Sequence, residues 1–297
     1  MEFSALIGNP VEHSVSPKMF EQFAKSVQLE YTHLKLRVPN EEVLPKYMNS
    51  LKTIGCKGVN VTLPYKIAIM KYLDELDSTA QEIGAVNTVV MKDDSLIGYN
   101  TDGWGAFKAI EDFLRKIEAT DQVVVLGAGG AARAIIFEIY KVTENIVVLC
   151  KNINEAKLIS RDFRNQARKP IEYGVLSDAA LLRELKRANF LINATPVGMY
   201  PNVNSSLVTE GMFEKITKVR DMGSLYVFDA VFNPHTTCLL KLARNHGANI
   251  CSGIWMMIYQ GFHAFQLWTG IKLSDIDFLA VERELRKAIV DIKEIKN

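Results

Sequence analysis

Residues 124–132 run Val-Val-Leu-Gly-Ala-Gly-Gly-Ala-Ala, an apolar stretch that breaks at Gly127 and resumes as the helical pattern Arg133–Lys141. A turn of this form suits a dinucleotide. Gly127 allows a tight exit from the strand, Gly129 lets the backbone come close to a pyrophosphate, and the small Ala132 lets the helix pack on a sheet. The amides at the helix start face the phosphates, so Gly127, Ala128, Gly129, Gly130 and Ala131 are the candidate cofactor contacts. A second strand, Ile146–Cys150, arrives about 20 residues later, where such a unit reads the ribose. No Asp or Glu lies between Asn145 and Asn154 to accept from the hydroxyls of an NAD ribose. The strand instead runs into Lys151 and Asn152, and a cation there suits the 2′-phosphate of NADP. The plainer alternative is a solvated lysine at a strand end.

Further clusters are more polar than packing requires. Gly8-Asn9-Pro10-Val11-Glu12-His13-Ser14-Val15-Ser16-Pro17 follows an apolar strand, and Ser14 and Ser16 point the same way if the loop is extended. Two hydroxyls beside a helix start make a carboxylate cradle, although Ser16 before Pro17 also reads as a helix cap. His13 reads as a general base or as a loop histidine. In Asn60-Val61-Thr62-Leu63-Pro64-Tyr65-Lys66, Pro64 is expected to open a helix with Lys66 in its first turn. The positive end of the helix dipole would then lower the lysine pKa toward the range useful for proton transfer. A lysine snorkelling into water is the alternative there. Asn87 in Gly84-Ala85-Val86-Asn87-Thr88 and Asp102 in Asn100-Thr101-Asp102-Gly103 complete the set, with turn residue and helix cap as their plain readings.

What must hold these residues is an α/β framework. Strands are expected at Phe3–Ile7, Tyr31–Val38 and Lys57–Val61, with helices near Ser16–Val27 and Asn40–Leu51, and a hairpin joins Ala85–Met91 to Leu96–Tyr99 through Asp93-Asp94. After Thr120 strands recur at Gln122–Leu126, Ile146–Cys150, Ile171–Leu176, Phe190–Asn193 and Leu225–Asp229. Such alternation implies mainly parallel sheets with right-handed crossovers. Two domains follow: 1–102 with 270–297, an amphipathic helix returning to the first, and a Rossmann-type 103–269 that includes the helices Gly103–Ile117 and Gly253–Trp268, with a cleft expected between the domains. The 297 residues suffice for two cores. With 35 basic and 34 acidic side chains the net charge of +1 offers no footprint for nucleic acid or an anionic membrane, which points to a small-molecule partner. Cys56, Cys150, Cys238 and Cys251 are scattered, with no metal spacing, and fit reduced thiols in a cytoplasm. The N-terminal residues have no signal-peptide pattern, and no apolar run approaches a membrane span.

Taken together, these motifs make the chain resemble the shikimate dehydrogenase family along nearly its full length. The resemblance rests on Gly-Asn-Pro-x-x-His-Ser-x-Ser-Pro at 8–17, Asn-Val-Thr-x-Pro-x-Lys at 60–66, Gly-Ala-x-Asn-Thr at 84–88 and Asn-Thr-Asp at 100–102. Gly-Ala-Gly-Gly-Ala at 127–131, Asn-Ala-Thr-Pro-x-Gly-Met at 193–199 and Gln260 ahead of Trp268-Thr269-Gly270 complete it. It implies NADP-dependent interconversion of 3-dehydroshikimate and shikimate, with Lys66 and Asp102 as the catalytic pair. It further implies that Ser14 and Ser16 hold the substrate carboxylate and that Thr62, Asn87, Asp102 and Gln260 hold ring hydroxyls. The cofactor side extends to Lys151, Asn152, Thr195, Met199 and Gly253, with no metal, and the enzyme is expected as a monomer or homodimer. The chain departs from the family pattern at Cys150-Lys151-Asn152 where relatives carry Asn-Arg-Thr or Asn-Arg-Ser, at Phe232 where they often carry tyrosine, and at Lys18-Met19-Phe20-Glu21. A quinate/shikimate dehydrogenase using NAD is the nearest alternative, and a non-catalytic dinucleotide sensor a more distant one.

Overall fold

The chain opens on a strand, β1 (Glu2–Gly8), whose last five residues are buried. In the computed structural model, which describes residues 2–163 and 169–294, that strand becomes the middle of a parallel trio. Helix α1 (Ser16–Ser26) leads to β2 (Tyr31–Arg37), and α2 (Leu44–Thr53) leads to β3 (Gly58–Val61); both strands pair with β1 in parallel. The single helix expected over Asn40–Leu51 is split. A 3-10 turn at Glu41–Val43, capped by Asn40, precedes α2, because Pro45 fits only the first turn of a new helix. The short β4 (Glu75–Leu76) and α3 (Ser78–Ile83) follow, neither carrying enough apolar periodicity to stand out in the sequence. Strands β5 (Thr88–Lys92) and β6 (Ser95–Tyr99) form the hairpin, with Asp93 and Asp94 both at positive φ in its turn. The six-stranded sheet runs β2-β1-β3-β5-β6-β4.

The second unit begins with α4 (Asp102–Phe113), whose first residue closes the first unit. There follow β7 (Val123–Leu126), α5 (Gly130–Tyr140), β8 (Ile146–Cys150), α6 (Ile153–Asp162), β9 (Glu172–Val175) and α7 (Asp178–Leu185). Then come β10 (Phe190–Asn193), α8 (Glu210–Thr217), β11 (Tyr226–Asp229), α9 (Cys238–Asn245) and β12 (Asn249–Ser252). The order β12-β11-β10-β7-β8-β9, all parallel, is the doubly wound arrangement, with its reversal between β7 and β10. Strands β7, β8 and β10 are buried throughout, as unbroken apolar runs in a sheet covered on both faces must be.

Helix α10 (Gly253–Thr269) belongs to both units, and the division falls at Ile258 rather than at residue 270. The reason is aromatic. Phe262, Phe265 and Trp268 of α10 and Phe278 of the last helix, α11 (Phe278–Glu294), pack in tilted and edge-on contacts against Phe20 and Phe23 of α1, and the Trp268 indole N–H donates to the Val89 carbonyl at 3.1 Å. No described helix is long and apolar enough to cross a membrane. Phe20 is fully buried in this cluster, so Phe20→Ala should lower the unfolding free energy by about 3–5 kcal/mol in urea titrations followed by circular dichroism. Leu279→Ala, at a side chain that is 63% exposed, should change it by less than about 0.5 kcal/mol; equal effects would show that the cluster does not hold the unit together.

Candidate active site

Strands β1 and β3 end, β5 begins and β6 ends along one edge of the first sheet, and the polar clusters emerge there. Asn60 opposes Thr88 and Thr88 opposes Tyr99, so the chain leaving β6 passes directly beside the chain entering β5. On that edge Lys66 Nζ lies 2.6 Å from Asp102 Oδ2, with the two side chains 19% and 7% exposed. The other oxygen, Asp102 Oδ1, accepts from Asn87 Nδ2 at 2.9 Å, and the same amide lies 2.9 Å from Thr101 Oγ1 and 3.3 Å from Gln260 Oε1. Two N–H bonds cannot serve three acceptors at once, so this amide always has a choice of partners.

The supports of this group are also polar and buried. Asn87 Oδ1 accepts the Thr101 amide at 2.8 Å, Asn100 Oδ1 accepts the Asp102 amide at 3.1 Å, and Asn60 Nδ2 donates to Thr88 Oγ1 at 3.2 Å. The Asn100 amide holds the Ala85 carbonyl. Asn60, Thr88, Asn100 and Thr101 escaped the sequence reading as individual residues, since each lies inside a motif without a chemistry of its own.

Lys66 does not sit where the sequence suggested. Pro64 opens a turn, not a helix, and the short 3-10 segment Ala68–Tyr72 begins beyond the lysine. The Lys66 carbonyl accepts from the Val86 amide at 2.7 Å, which ties the turn to the β5 side of the sheet instead of starting a helical ladder. No helix start lies at Lys66 for a dipole to act from, and what positions the ammonium is Asp102. Ser14 and Ser16 do come together: Ser14 Oγ donates to Ser16 Oγ at 3.0 Å and accepts the Ser16 amide at 3.2 Å. Thr62, half-buried, leaves β3 with its amide on the Ile7 carbonyl, and His13 is exposed.

In the second unit the glycine turn lies at the reversal of strand order, where α/β sheets bind ligands. Gly127 has φ +104°, and a Cβ there would lie 2.9 Å from Thr195 Cγ2, so only glycine fits. Gly129 differs: its φ is −77°, and a Cβ on it would meet no protein atom within 4 Å. Neither backbone nor packing asks for glycine at 129, which fits a group approaching the turn from outside, as the pyrophosphate of a dinucleotide would. Gly253 is needed for packing, because its Cβ would lie 2.4 Å from the Ala230 carbonyl oxygen. Thr195 donates to Asn193 Oδ1 at 2.6 Å and accepts the Val197 amide at 3.2 Å, while Met199 is 40% exposed. Lys151 and Asn152 are exposed just beyond β8, and Asn152 caps α6 through the Asn154 amide at 3.1 Å. Its Nδ2 donates to Glu155 at 3.0 Å, so an acid does reach this corner, from one residue past the window that the sequence left empty.

A doubly wound sheet with a glycine turn at its reversal point is how many nicotinamide-dependent oxidoreductases hold their dinucleotide, and the chain is of that class. Residues 6–89 match the family model for the shikimate dehydrogenase substrate binding domain, and residues 253–274 match that for the shikimate 5′-dehydrogenase C-terminal domain. The chain belongs to the shikimate dehydrogenase family. It is 38% identical to a shikimate dehydrogenase (NADP+) of Methanococcus aeolicus over 289 residues, which is 97% of this chain and 96% of that protein. It is similar, with a TM-score of 0.85 and 36% identity, to a shikimate dehydrogenase crystallised with NADP+, over 98% of this chain and 95% of that one. The enzyme of Thermus thermophilus in complex with NADP(H) and shikimate matches with a TM-score of 0.82 and 30% identity, over 97% of this chain and 100% of that one.

Beneath the Asn193–Met199 loop, Asp229 is fully buried and accepts from Asn193 Nδ2 at 2.8 Å, Thr237 Oγ1 at 2.6 Å and the Val231 amide at 3.1 Å. Burial raises its pKa from 3.8 to about 6, outweighing those three donors. The folded protein thus holds this proton more tightly than the unfolded chain. The resulting stability is full below about pH 4 and is lost as pH rises through about 6, a change of about 3 kcal/mol at 1.4 kcal/mol per pH unit. Urea midpoints measured from pH 4 to 7 should show this fall in the native chain relative to Asp229→Asn, and parallel curves would show that Asp229 does not titrate in that window.

Proposed function

We propose that this chain is an NADP-dependent shikimate dehydrogenase in which Lys66 and Asp102 handle the proton. The observation that carries the assignment of roles is the 2.6 Å pairing of Lys66 Nζ with Asp102 on a sheet edge otherwise lined by hydroxyl and amide groups. Such an edge suits a small polyhydroxylated ring with a carboxylate. Ser14 and Ser16 take the carboxylate, and Thr62, Asn87, Asp102 and Gln260 take the ring hydroxyls.

Bound NADPH supplies a hydride to the ketone carbon of 3-dehydroshikimate, and NADP+ takes it back in the reverse direction. As the carbonyl oxygen gains negative charge, the Lys66 ammonium donates a hydrogen bond to it and then the proton, leaving an alcohol and a neutral amine. In the oxidation of shikimate the neutral amine removes the hydroxyl proton. Asp102 Oδ2 orients the lysine while Asn87 holds the other carboxylate oxygen, so the ammonium is fixed in direction by a carboxylate that is itself fixed. On the nucleotide side the reading places the pyrophosphate on Gly127, Ala128, Gly129, Gly130 and Ala131. It places the ribose phosphate at Lys151 and Asn152, and the nicotinamide end near Thr195, Met199 and Gly253. Residues 1–102 with the C-terminal segment form the substrate domain, and the doubly wound unit is the NADP domain. The enzyme so described works in the cytoplasm as a monomer or homodimer, without nucleic-acid or membrane partners.

The test is absorbance of the reduced nicotinamide with shikimate and quinate, each against NADP and NAD. Turnover is expected with shikimate and NADP, whereas quinate oxidation with NAD as the better pair would favour the quinate/shikimate reading. Lys66→Ala should lower single-turnover rates by about 10²–10⁴ while shikimate affinity in titration calorimetry stays nearly unchanged. A variant keeping more than about a tenth of the rate would remove Lys66 from proton transfer.

A further inference from the structure

We infer that Glu155 determines how strongly this chain prefers NADP over NAD, by placing a negative charge against the 2′-phosphate. The inference rests on the reading of Lys151 and Asn152 as the ribose corner. Asn152 caps α6 with Oδ1 on the Asn154 amide at 3.1 Å, which fixes its amide end, and that end donates to Glu155 Oε1 at 3.0 Å. The carboxylate is thereby drawn back over the residue that follows Lys151, and its position is set by the cap. Among the described residues Lys151 forms no ion pair with it or with any other acid, so neither charge cancels the other. Lys151, Asn152 and Glu155 are all exposed, at the end of the strand beside the one that carries the glycine turn.

A phosphate monoester brings about −1.5 to −2 charges to such a corner. Lys151 attracts it as a point charge, whereas Glu155 repels it and occupies one hydrogen of the Asn152 amide that would otherwise serve a phosphate oxygen. A ribose with a free 2′-hydroxyl meets the same carboxylate as a hydrogen-bond acceptor. The acid therefore penalises the phosphate and leaves the free ribose tolerated, and neutralising it releases the discrimination in favour of the phosphate. Like charges this far into solvent interact modestly and are screened within about 8–10 Å at ordinary ionic strength, which sets the size of the effect.

Glu155→Gln keeps the acceptor for Asn152 and removes only the charge. In calorimetric titration of the full chain at low ionic strength, this variant should bind adenosine 2′,5′-bisphosphate about three- to tenfold more tightly, with 5′-AMP unchanged within about twofold. The ratio of NAD to NADP dissociation constants should rise by the same factor, and added salt should shrink it. Lys151→Ala should weaken the bisphosphate and spare 5′-AMP. If Lys151→Ala behaves so and Glu155→Gln changes nothing, or tightens both nucleotides equally, the role of Glu155 is overturned and the ribose corner stands. If neither substitution affects the bisphosphate, the reading of the corner itself fails and the inference falls with it. An unchanged urea midpoint for Glu155→Gln shows that the helix start is intact in these measurements.

Discussion

An ammonium and a carboxylate 2.6 Å apart, both largely withdrawn from water, are costly to assemble. Removing each ion from solvent costs several kcal/mol, and their attraction repays this only if the remaining lone pairs and protons find partners. Much of the polar wiring of the first unit can be read as meeting that condition for Lys66 and Asp102. Asn87 takes the second carboxylate oxygen, Asn100 takes the Asp102 amide, and the Thr101 amide fixes the Asn87 side chain that does the holding. Asn60 and Thr88 close the shell from neighbouring strands. Replacing a buried ion pair by apolar residues of similar volume is often neutral or stabilising. The proton chemistry proposed for the pair accounts for its presence better than folding does.

Such a group has to be built where strands end. Inside the sheet, side chains alternate between packed faces and backbone groups are used by the ladder; beyond the last paired residue, both are released. β1 and β3 run parallel and finish on the same edge, and the antiparallel β5 starts there, which brings Thr62, Asn87 and the Asn100–Asp102 segment together although they are far apart in the chain. The Lys66 turn is held to the same edge through the Val86 amide. Gln260 reaches Asn87 from α10, and its place depends on the aromatic packing of Phe262, Phe265 and Trp268 against α1. Packing of large apolar rings therefore sets the position of a polar group several residues away on the same helix.

Much of this was legible in the sequence where a residue type has few other uses. The strand-to-glycine turn at 124–132, the apolar runs of β7, β8 and β10 and the Asp93-Asp94 hairpin each follow from local rules, and all are present. Ser14 and Ser16 were expected side by side and lie 3.0 Å apart. What failed was inference across a tertiary contact. Pro64 reads locally as a helix start, but the Lys66 carbonyl is claimed by the Val86 amide, from the connection that leads into β5, and no local pattern reveals that. Glu155 lies outside the strand-end segment that normally carries the ribose-reading acid, and it joins that corner because a capping asparagine reaches three residues forward. β4 and β12 are too short and too polar for periodicity to mark them; their neighbours in the sheet define them.

The two units also differ in what their sites are made of, and this governs what each can tolerate. At the glycine turn the parts proposed to meet the nucleotide are backbone: amides at the start of α5, the positive φ of Gly127 and the bare surface of Gly129. Side chains there are mostly restricted by size, so the motif reads as a spacing of small residues. At the first sheet edge the working parts are side chains, each with a donor or acceptor that must match its neighbour, and exchanging Asn87 for a residue of equal size but different polarity would leave the Asp102 carboxylate with an oxygen unpaired in a buried setting. The loss of one partner of a buried charge costs more than the bond itself, because the charge left behind is not rehydrated. Recognition by backbone binds what every dinucleotide shares, its pyrophosphate, whereas recognition by a connected set of side chains selects one ring from its relatives.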